Sequence, residues 1–407
     1  MSLKIAIAGA GIGGLTSALL LHRSGHEVTL FERFDAPRPV GSGLVIQPVG
    51  LAVLDLLGMG EDARALSSPI RRMYGDRKDG GRVLDVSYPE GAPGRAFHRA
   101  SLFALLWTRA EAEGVPVFTS AALVAAPHVD TGREIVLQDG RRFGPFDLVI
   151  DASGAGSALS PLIARPLAYG AIWGSVRWPE DTDFTRDHLR QRYRRADRMV
   201  GILPIGHLPR DPTPRTAVFW SMPTPRLQDW AKVSVQDWKA EATTLWPEIA
   251  PFLREVTAND QMTIARYAHG TLARPYDDRL AFTGDAAHRA SPQLGQGANM
   301  ALLDALALTL ALNDAPVAEA LPLYAQLRRW HIRSYQYFSA LLTPMYQSDS
   351  RILPVIRDRL LAPMAGMPIV RAMLSHLVAG DLLHPLSGEE LSLRRLPLAR
   401  PLPRLGA

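Results

Sequence analysis

Apolar residues near the N-terminus come in short unbroken runs instead of alternating with polar ones. Lys4–Ala8 carries four consecutive apolar positions, the pattern of a parallel strand buried on both faces. Glycines at 9, 11, 13 and 14 break the run, and Leu15–Ser24 then reads as a helix ended by Gly25. Glu27–Glu32 follows as a second strand, completing a βαβ unit. Two further apolar strands are predicted at Asp147–Asp151 and Arg279–Thr283, each running into a turn of small residues. Ala298–Leu312 is apolar on nearly every side, as a buried helix is, yet it contains Asp304.

Between about Tyr169 and Ala268 the character changes. Trp and Pro become frequent, and short strand-like runs such as Thr216–Ser221 are separated by polar breaks. Beyond about Ala325 the pattern predicts amphipathic helices, and the Pro- and Arg-rich tail from Leu393 reads as irregular. The expected fold is therefore α/β, a Rossmann-like dinucleotide-binding domain with an inserted domain built on a mixed, largely antiparallel sheet and C-terminal helices. The expected divisions are 1–72, 98–170 and 268–325 for the first domain, 73–97 and 171–267 for the second, and 326–407 for the C-terminal region.

Two motifs carry chemistry. In Gly9-x-Gly11-x-x-Gly14, Gly9 suits the tight turn, Gly11 lets backbone approach a pyrophosphate, and Gly14 lets the helix pack closely on the strand. The helix N-terminus then favours the phosphate charge, and Glu32, at the end of the next strand, suits the adenosine ribose hydroxyls. A purely structural glycine turn is the alternative. About 270 residues later comes Gly284-Asp285-Ala286-Ala287-His288, then Pro292 and Gly295-Gln296-Gly297-Ala298-Asn299. Asp285 suits a ribityl hydroxyl, although alone it would read as a turn or N-cap residue. Gly295 and Gly297 leave room for a flavin ring against bare backbone. The helix starting near Ala298 would stabilise negative charge on that ring by a few tenths to about 2 kcal/mol. Together the motifs imply one FAD bound by remote parts of the chain.

Composition narrows the rest. The chain has 407 residues, 47% of them hydrophobic and 21% charged, as in an ordinary soluble protein of two or three subdomains. The formal net charge of +5 comes from dispersed arginines, which argues against a nucleic-acid partner. There is no cysteine, so thiolate catalysis, disulfides and cysteine-ligated metals are excluded, and the compartment expected is the cytoplasm. Lys4 and the following apolar run imitate a signal peptide, but the glycines break it and no cleavage site follows. No apolar tract reaches the length of a membrane span, and no His/carboxylate spacing demands a metal.

With these residues in view, the chain resembles the single-component FAD-dependent aromatic hydroxylases, the family of para-hydroxybenzoate hydroxylase, salicylate hydroxylase and kynurenine monooxygenase. The resemblance covers residues 1 to about 330. It rests on the first glycine motif, Glu32-Arg33, Gly41-Ser42-Gly43-Leu44 with Gln47-Pro48, Arg99 with Leu102, and the run from Gly284 through Pro292 and Asn299 to Asp304. It implies that Arg99 contacts the FAD phosphates, and that Pro292 and the Gly295–Gly297 turn border the ring. Arg33, Gln47, Ala298 and Asn299 join the expected cofactor set. The implied chemistry is reaction of reduced flavin with molecular oxygen at C4a to give a hydroperoxide, whose distal oxygen passes to an electron-rich small aromatic substrate.

One departure stands out. The family's middle motif, Asp-Gly-x-x-Ser-x-x-Arg, here reads Ser153-Gly154-Ala155-Gly156-Ser157-Ala158-Leu159-Ser160. Serines replace the carboxylate and the guanidinium, removing contacts roughly twice as strong as neutral ones. This sets two electron sources against each other: NADH or NADPH directly, or reduced flavin from a separate flavin reductase. Rival readings are an FAD oxidase or dehydrogenase without oxygen insertion, and a non-catalytic flavoprotein binding partner. A flavin halogenase is disfavoured because Trp-x-Trp-x-Ile-Pro is absent.

For the substrate, the candidates are His207 as a base and Tyr193, Phe219, Trp220 and Met222 as pocket walls. Against these stand a solvated loop histidine and ordinary core aromatics. The arginines from Arg186 to Arg198 suit an anionic ligand or a solvated face. The helices from about Met345 to Leu383 suit an entrance cap, a partner contact or plain packing.

Overall fold

The computed structural model describes residues 2–36 and 43–387. Gly41, Ser42 and the tail from Leu393 lie outside those residues. The βαβ unit forms as expected, with strands at Lys4–Ala8 and Glu27–Phe31, and the helix starts three residues early, at Ile12–Arg23. These strands sit inside a six-stranded sheet. Leu148–Asp151 lies on the other side of Lys4–Ala8, then Leu280–Phe282, and all four neighbours run parallel. The near-continuous apolar runs follow from this placement, since helices cover one face and a small antiparallel sheet covers the other. Ile5, Ile7, Leu30 and Ile150 face the helices, while Ala6, Phe31 and Val149 meet Ile135, Leu137 and Phe146 of that small sheet.

The helix Gly297–Asp314 packs across Ile12–Arg23, and most of its residues are buried. Small residues set the separation. A Cβ at Gly13 would stand 3.2 Å from the Ala301 Cβ, and one at Gly284 would stand at the same distance from that atom. One alanine thus sits between the first glycine turn and the late motif.

The second large layer is an eight-stranded sheet that includes Arg165–Arg177, His188–Arg194, Arg198–Pro204, Arg215–Pro223 and Met262–Thr271. Arg72–Arg77 and Arg82–Ser87 extend it from the early part of the chain. Side chains alternate between its faces. Ile172, Val218, Trp220 and Met222 point outward under the helix Val235–Leu245, against Trp230 and Trp238. Phe219, Met199 and Leu203 point inward with Tyr88 and Val45. The C-terminal helices begin earlier than the pattern suggested, with a 30-residue helix at Val317–Tyr346, and no single described helix is long and apolar enough to cross a membrane.

Overpacking at the crossing tests its role. Ala301→Leu should lower unfolding stability by about 1–3 kcal/mol, measured as a fall in the urea midpoint by circular dichroism. An unchanged midpoint would show that the helices are free to separate.

Candidate functional site

At the pyrophosphate end, Gly9 has φ +93°, and a Cβ there would lie 2.8 Å from the Ala152 carbonyl oxygen. A Cβ at Gly14 would stand 1.9 Å from the Gly9 oxygen, so helix and turn meet backbone to backbone. Gly11 is different: nothing lies within 4 Å of its added Cβ. It is the N-cap of the first helix, with no side-chain cap and no acid in the first turn, leaving the helix N–H groups free for an anion. Glu32 first secures the turn itself. One carboxylate oxygen accepts from Ala10 N at 2.8 Å and the other from Phe34 N at 3.1 Å, and the remaining lone pairs can take ribose hydroxyls. Arg33 is exposed, over the Phe34 ring and beside Gly156.

Arg99 opens the helix Arg99–Ala112 and keeps solvent access although protein crowds around it. That burial lowers its pKa, and the Asp285 carboxylate opposes the shift. Cation and carboxylate therefore share the region between the two ends. Asp285 is exposed between buried Gly284 and Ala286.

At the ring end, Gly295 takes φ +62° and closes the Pro292–Leu294 turn, and Gly297 has open space where a Cβ would stand. The Gly297–Asp314 helix again lacks a side-chain cap and a first-turn acid. Its free N–H groups suit the electron-rich pyrimidine edge of a flavin. Pro292 and Gly297 are exposed and Ala298 is half-buried beside them.

The Asn299 and Gln47 side chains are engaged within the protein. Both are buried, at 0% and 1% exposure. The Asn299 amide accepts from Gln47 N at 2.8 Å and donates to Val45 and Gly295 carbonyls, and the Gln47 side chain accepts from Tyr88 OH at 2.6 Å. They hold the ring-end turn from behind and shape the site through its backbone.

Behind the late motif lies a charged network that sequence reasoning noticed only through Asp304. Its carboxylate accepts from Gly284 N at 2.9 Å, His288 Nε2 at 2.6 Å and Arg328 Nε at 2.8 Å, all fully or nearly fully buried. Burial alone would raise its pKa, but His288 and then Arg328 outweigh it and hold the group well below the usual carboxylate range. Arg328 also reaches His331 Nδ1 at 3.2 Å, whose Nε2 meets Gly380 O at 2.8 Å. These partners assign His331 as neutral with its proton on Nε2. Burial, then Arg328, lowers its pKa to about 3.

The altered middle motif folds onto itself. Asp151, fully buried, accepts from Ser153 N at 3.0 Å, Ser153 Oγ at 2.5 Å and the Ser157 hydroxyl. Ser160 Oγ donates to Ala286 O at 2.5 Å, joining this turn to the late motif. Asp151 thus supplies a carboxylate two residues before Ser153, directed inward.

The substrate candidates separate. Trp220 and Met222 are corrected: they belong to the outward face, packed under a helix. His207 is also corrected as a base, because its ring lies against Leu208 O at 2.9 Å and Ala65 O at 3.2 Å in a loop. Tyr193 lies on the inner face but is covered by Tyr346 and Arg357. Phe219 stacks on Trp173 with centroids 4.4 Å apart, and Trp173 Nε1 donates to Tyr267 OH at 2.9 Å. Trp173 and Tyr267 went unrecognised, for alternation alone does not say which face looks inward. This inner face is continuous with the ring-end turn through Tyr88 and Gln47.

Two uncapped helix termini, a glycine turn and a late turn with Asp285 define a flavin dinucleotide-binding protein. The family described as FAD binding domain matches residues 2–322. A 3-hydroxybenzoate 6-hydroxylase of Klebsiella oxytoca is 26% identical over 349 residues, covering 80% of this chain and 84% of that protein. A kynurenine 3-monooxygenase of Salinispora tropica is 29% identical, covering 81% of this chain and 77% of that protein. In fold, the chain is similar to Klebsiella pneumoniae HpxO complexed with FAD and uric acid, with a TM-score of 0.78 at 22% identity over 93% of this chain and 98% of that one. The chain belongs to the FAD-binding monooxygenase family, with aromatic hydroxylases among its relatives.

The buried network sets an acid sensitivity. His331 stays neutral in the folded chain, while the unfolded chain takes up its proton below about pH 6.5. Its contribution is therefore present above that pH and lost as pH falls towards about 3. Asp304, with its lowered value, adds a loss that begins near pH 4. Unfolding midpoints measured from pH 7 to 4 should fall, and His331→Gln should flatten the upper part of that fall. Asp304→Asn, which strands Arg328, should cost about 3–5 kcal/mol at neutral pH. A His331→Gln profile parallel to that of the parent chain would assign the acid loss elsewhere.

Proposed function

We propose that this enzyme hydroxylates a small aromatic or heteroaromatic molecule held between the ring-end turn and the inner face of the eight-stranded sheet. The observation that carries the reading is the juxtaposition of the uncapped Gly297–Asp314 helix with an aromatic wall. Gln47 and Tyr88 join the two, and Trp173, Phe219 and Tyr267 form the wall. Bound FAD would supply the activation of molecular oxygen and the delivery of one oxygen atom. The relatives include proteins named for 3-hydroxybenzoate and kynurenine hydroxylation, which supports an aromatic substrate class.

The chain's own residues then have distinct tasks. Gly11 and the first helix N-terminus hold the pyrophosphate, with Arg99 as the nearby cation and Asp285 as the partner for ribityl hydroxyls. Gly295, Gly297 and Pro292 would leave room for the ring, and the second helix N-terminus would favour negative charge at that end. Half-buried Trp173 offers a stacking surface, and Phe219, buried behind it, backs the wall and excludes water. Burial raises the Tyr267 phenol well above its usual range, against which the Trp173 bond works, so it remains a neutral donor at any working pH. It is placed to orient a substrate hydroxyl, amine or carbonyl.

A second reading of the electron supply has a specific observation behind it. Ser160 is spent on the Ala286 carbonyl and the Asp151 carboxylate faces inward, so the middle motif presents no ionic group for a nicotinamide dinucleotide. Reduced flavin from a flavin reductase would serve instead of NADH or NADPH.

One combined experiment addresses both points. The yellow protein is mixed anaerobically with NADH or NADPH in a stopped-flow instrument with and without candidate aromatics, then turned over under labelled oxygen. One labelled atom per product is expected. Unlabelled product would replace hydroxylation with oxidation, and the absence of substrate-stimulated oxygen uptake even with reduced FAD would point to a non-catalytic flavoprotein. Fast, substrate-gated reduction by either nicotinamide would remove the case for a reductase.

Tyr267→Phe tests the wall. It should raise KM about tenfold through loss of one hydrogen bond, with FAD affinity unchanged by fluorescence titration. An unaltered KM would remove Tyr267 from substrate recognition.

A further inference from the structure

The stretch from Arg351 to Met373 differs from the rest of the described surface. It belongs to two short helical arms, Leu353–Met364 and Pro368–Ala379, bent by 108°. Ile352, Val355, Leu360, Met364, Met367 and Ile369 all stand exposed on it, Ile369 at 83%. Arg351, Arg359 and Arg371 are exposed among them. The one carboxylate between 351 and 376 is Asp358, and it is turned inward onto Arg357 at 2.7 Å and towards Arg77 at 3.6 Å. On the adjoining strand Asp85 lies near Arg371, but it already pairs with Arg72 at 2.6 Å and Arg82 at 3.5 Å. The surface is apolar with a cationic border.

We propose that this bent helix pair docks the enzyme on the surface of a bilayer containing anionic lipid. Neither arm alone is long enough to cross, and the two are bent apart by 108°. An arm of twelve residues reaches about 18 Å, short of the roughly 30 Å hydrocarbon core. The arms are also held to the protein on their inner side, where Pro354, Arg357 and Leu377 are buried. Each arm therefore lies along the interface with its exposed apolar side chains inserted, and the arginines remain at the headgroups. Charge selects this occupant over a second copy of the chain. A twofold contact through the same patch would gather six arginines into one interface with no free carboxylate among them to pair, whereas anionic headgroups neutralise them. Methionine and isoleucine without a rigid groove suit a fluid surface better than a shaped partner.

The docking element connects to the site already described. Gln296, the N-cap of the Gly297–Asp314 helix, donates to Val378 O at 3.2 Å, and Tyr335 OH donates to Leu377 O at 2.8 Å. The end of the second arm is thus fastened to the ring-end turn. Binding to lipid does not depend on which molecule is hydroxylated, so its test stands apart from the proposed function.

The test is co-sedimentation of the full-length, FAD-loaded protein with vesicles. One set holds phosphatidylcholine and phosphatidylglycerol at about three to one, and the other phosphatidylcholine alone. The protein should pellet with the first set and stay in solution with the second, and salt should release it. The Ile352→Ser/Leu360→Ser/Ile369→Ser and Arg351→Gln/Arg359→Gln variants should each bind at least about tenfold more weakly. Retained yellow colour would show that both are folded. Pelleting with neither set, equal pelleting with both, or undiminished binding by the variants would overturn the proposal. So would vesicle indifference combined with self-association in sedimentation velocity that the apolar variant abolishes, which would identify a second copy as the occupant.

Discussion

The contact on which the site depends is the close crossing of the Ile12–Arg23 and Gly297–Asp314 helices, with Ala301 between Gly13 and Gly284. Each helix begins at a glycine turn without a side-chain cap, and each offers free backbone N–H groups to a ligand. Helix termini nearly three hundred residues apart serve one extended cofactor only if their separation is fixed. Small residues at the crossing set that separation to the thickness of two backbones. The parallel sheet beneath fixes the other coordinate, because Lys4–Ala8, Leu148–Asp151 and Leu280–Phe282 all end at the same edge.

Holding the late turn open to a ligand leaves the burden of order to what lies behind it. Asp304, His288 and Arg328 do this from the buried side, and Asn299 with Gln47 does it from the flank. A buried carboxylate with a guanidinium and an imidazole is weak evidence of net stability, since desolvation offsets much of the attraction. Its effect is geometric. The Asp304 carboxylate receives the Gly284 N–H directly, so the motif's backbone cannot drift without stranding a charge. The exposed Asp285 can then face a ligand, its neighbours on either side being buried.

Much of this was readable because parallel strands and all-round buried helices write themselves as unbroken apolar runs. The strands at Lys4–Ala8 and Glu27–Phe31 and the late helix matched to within a few residues. The inner face of the eight-stranded sheet was not readable in the same way. In Arg215–Pro223 both faces are buried, so apolar residues occupy both parities, and Phe219 cannot be distinguished from Trp220 until the sheet is oriented. Asp304 in an apolar helix announces that partners exist, but Arg328 and His331 come from a later helix that only packing brings near. Gln47 and Asn299 were legible as important, but the partners of their side chains were not, because a motif records a requirement without saying which atom meets it.

The middle motif shows how a family position can change while its local fold survives. Asp151 stands on the strand, and Ser153 and Ser157 turn their hydroxyls back towards it, so the small-residue turn keeps a carboxylate at its centre. What changes is direction. A charge consumed by two hydroxyls and a backbone N–H, at full burial, exerts little influence on a ligand outside. Ser160 keeps the turn tied to Ala286, the contact most relevant to the late motif. The turn keeps its ties to the strand and to the late motif while presenting no ionic group of its own.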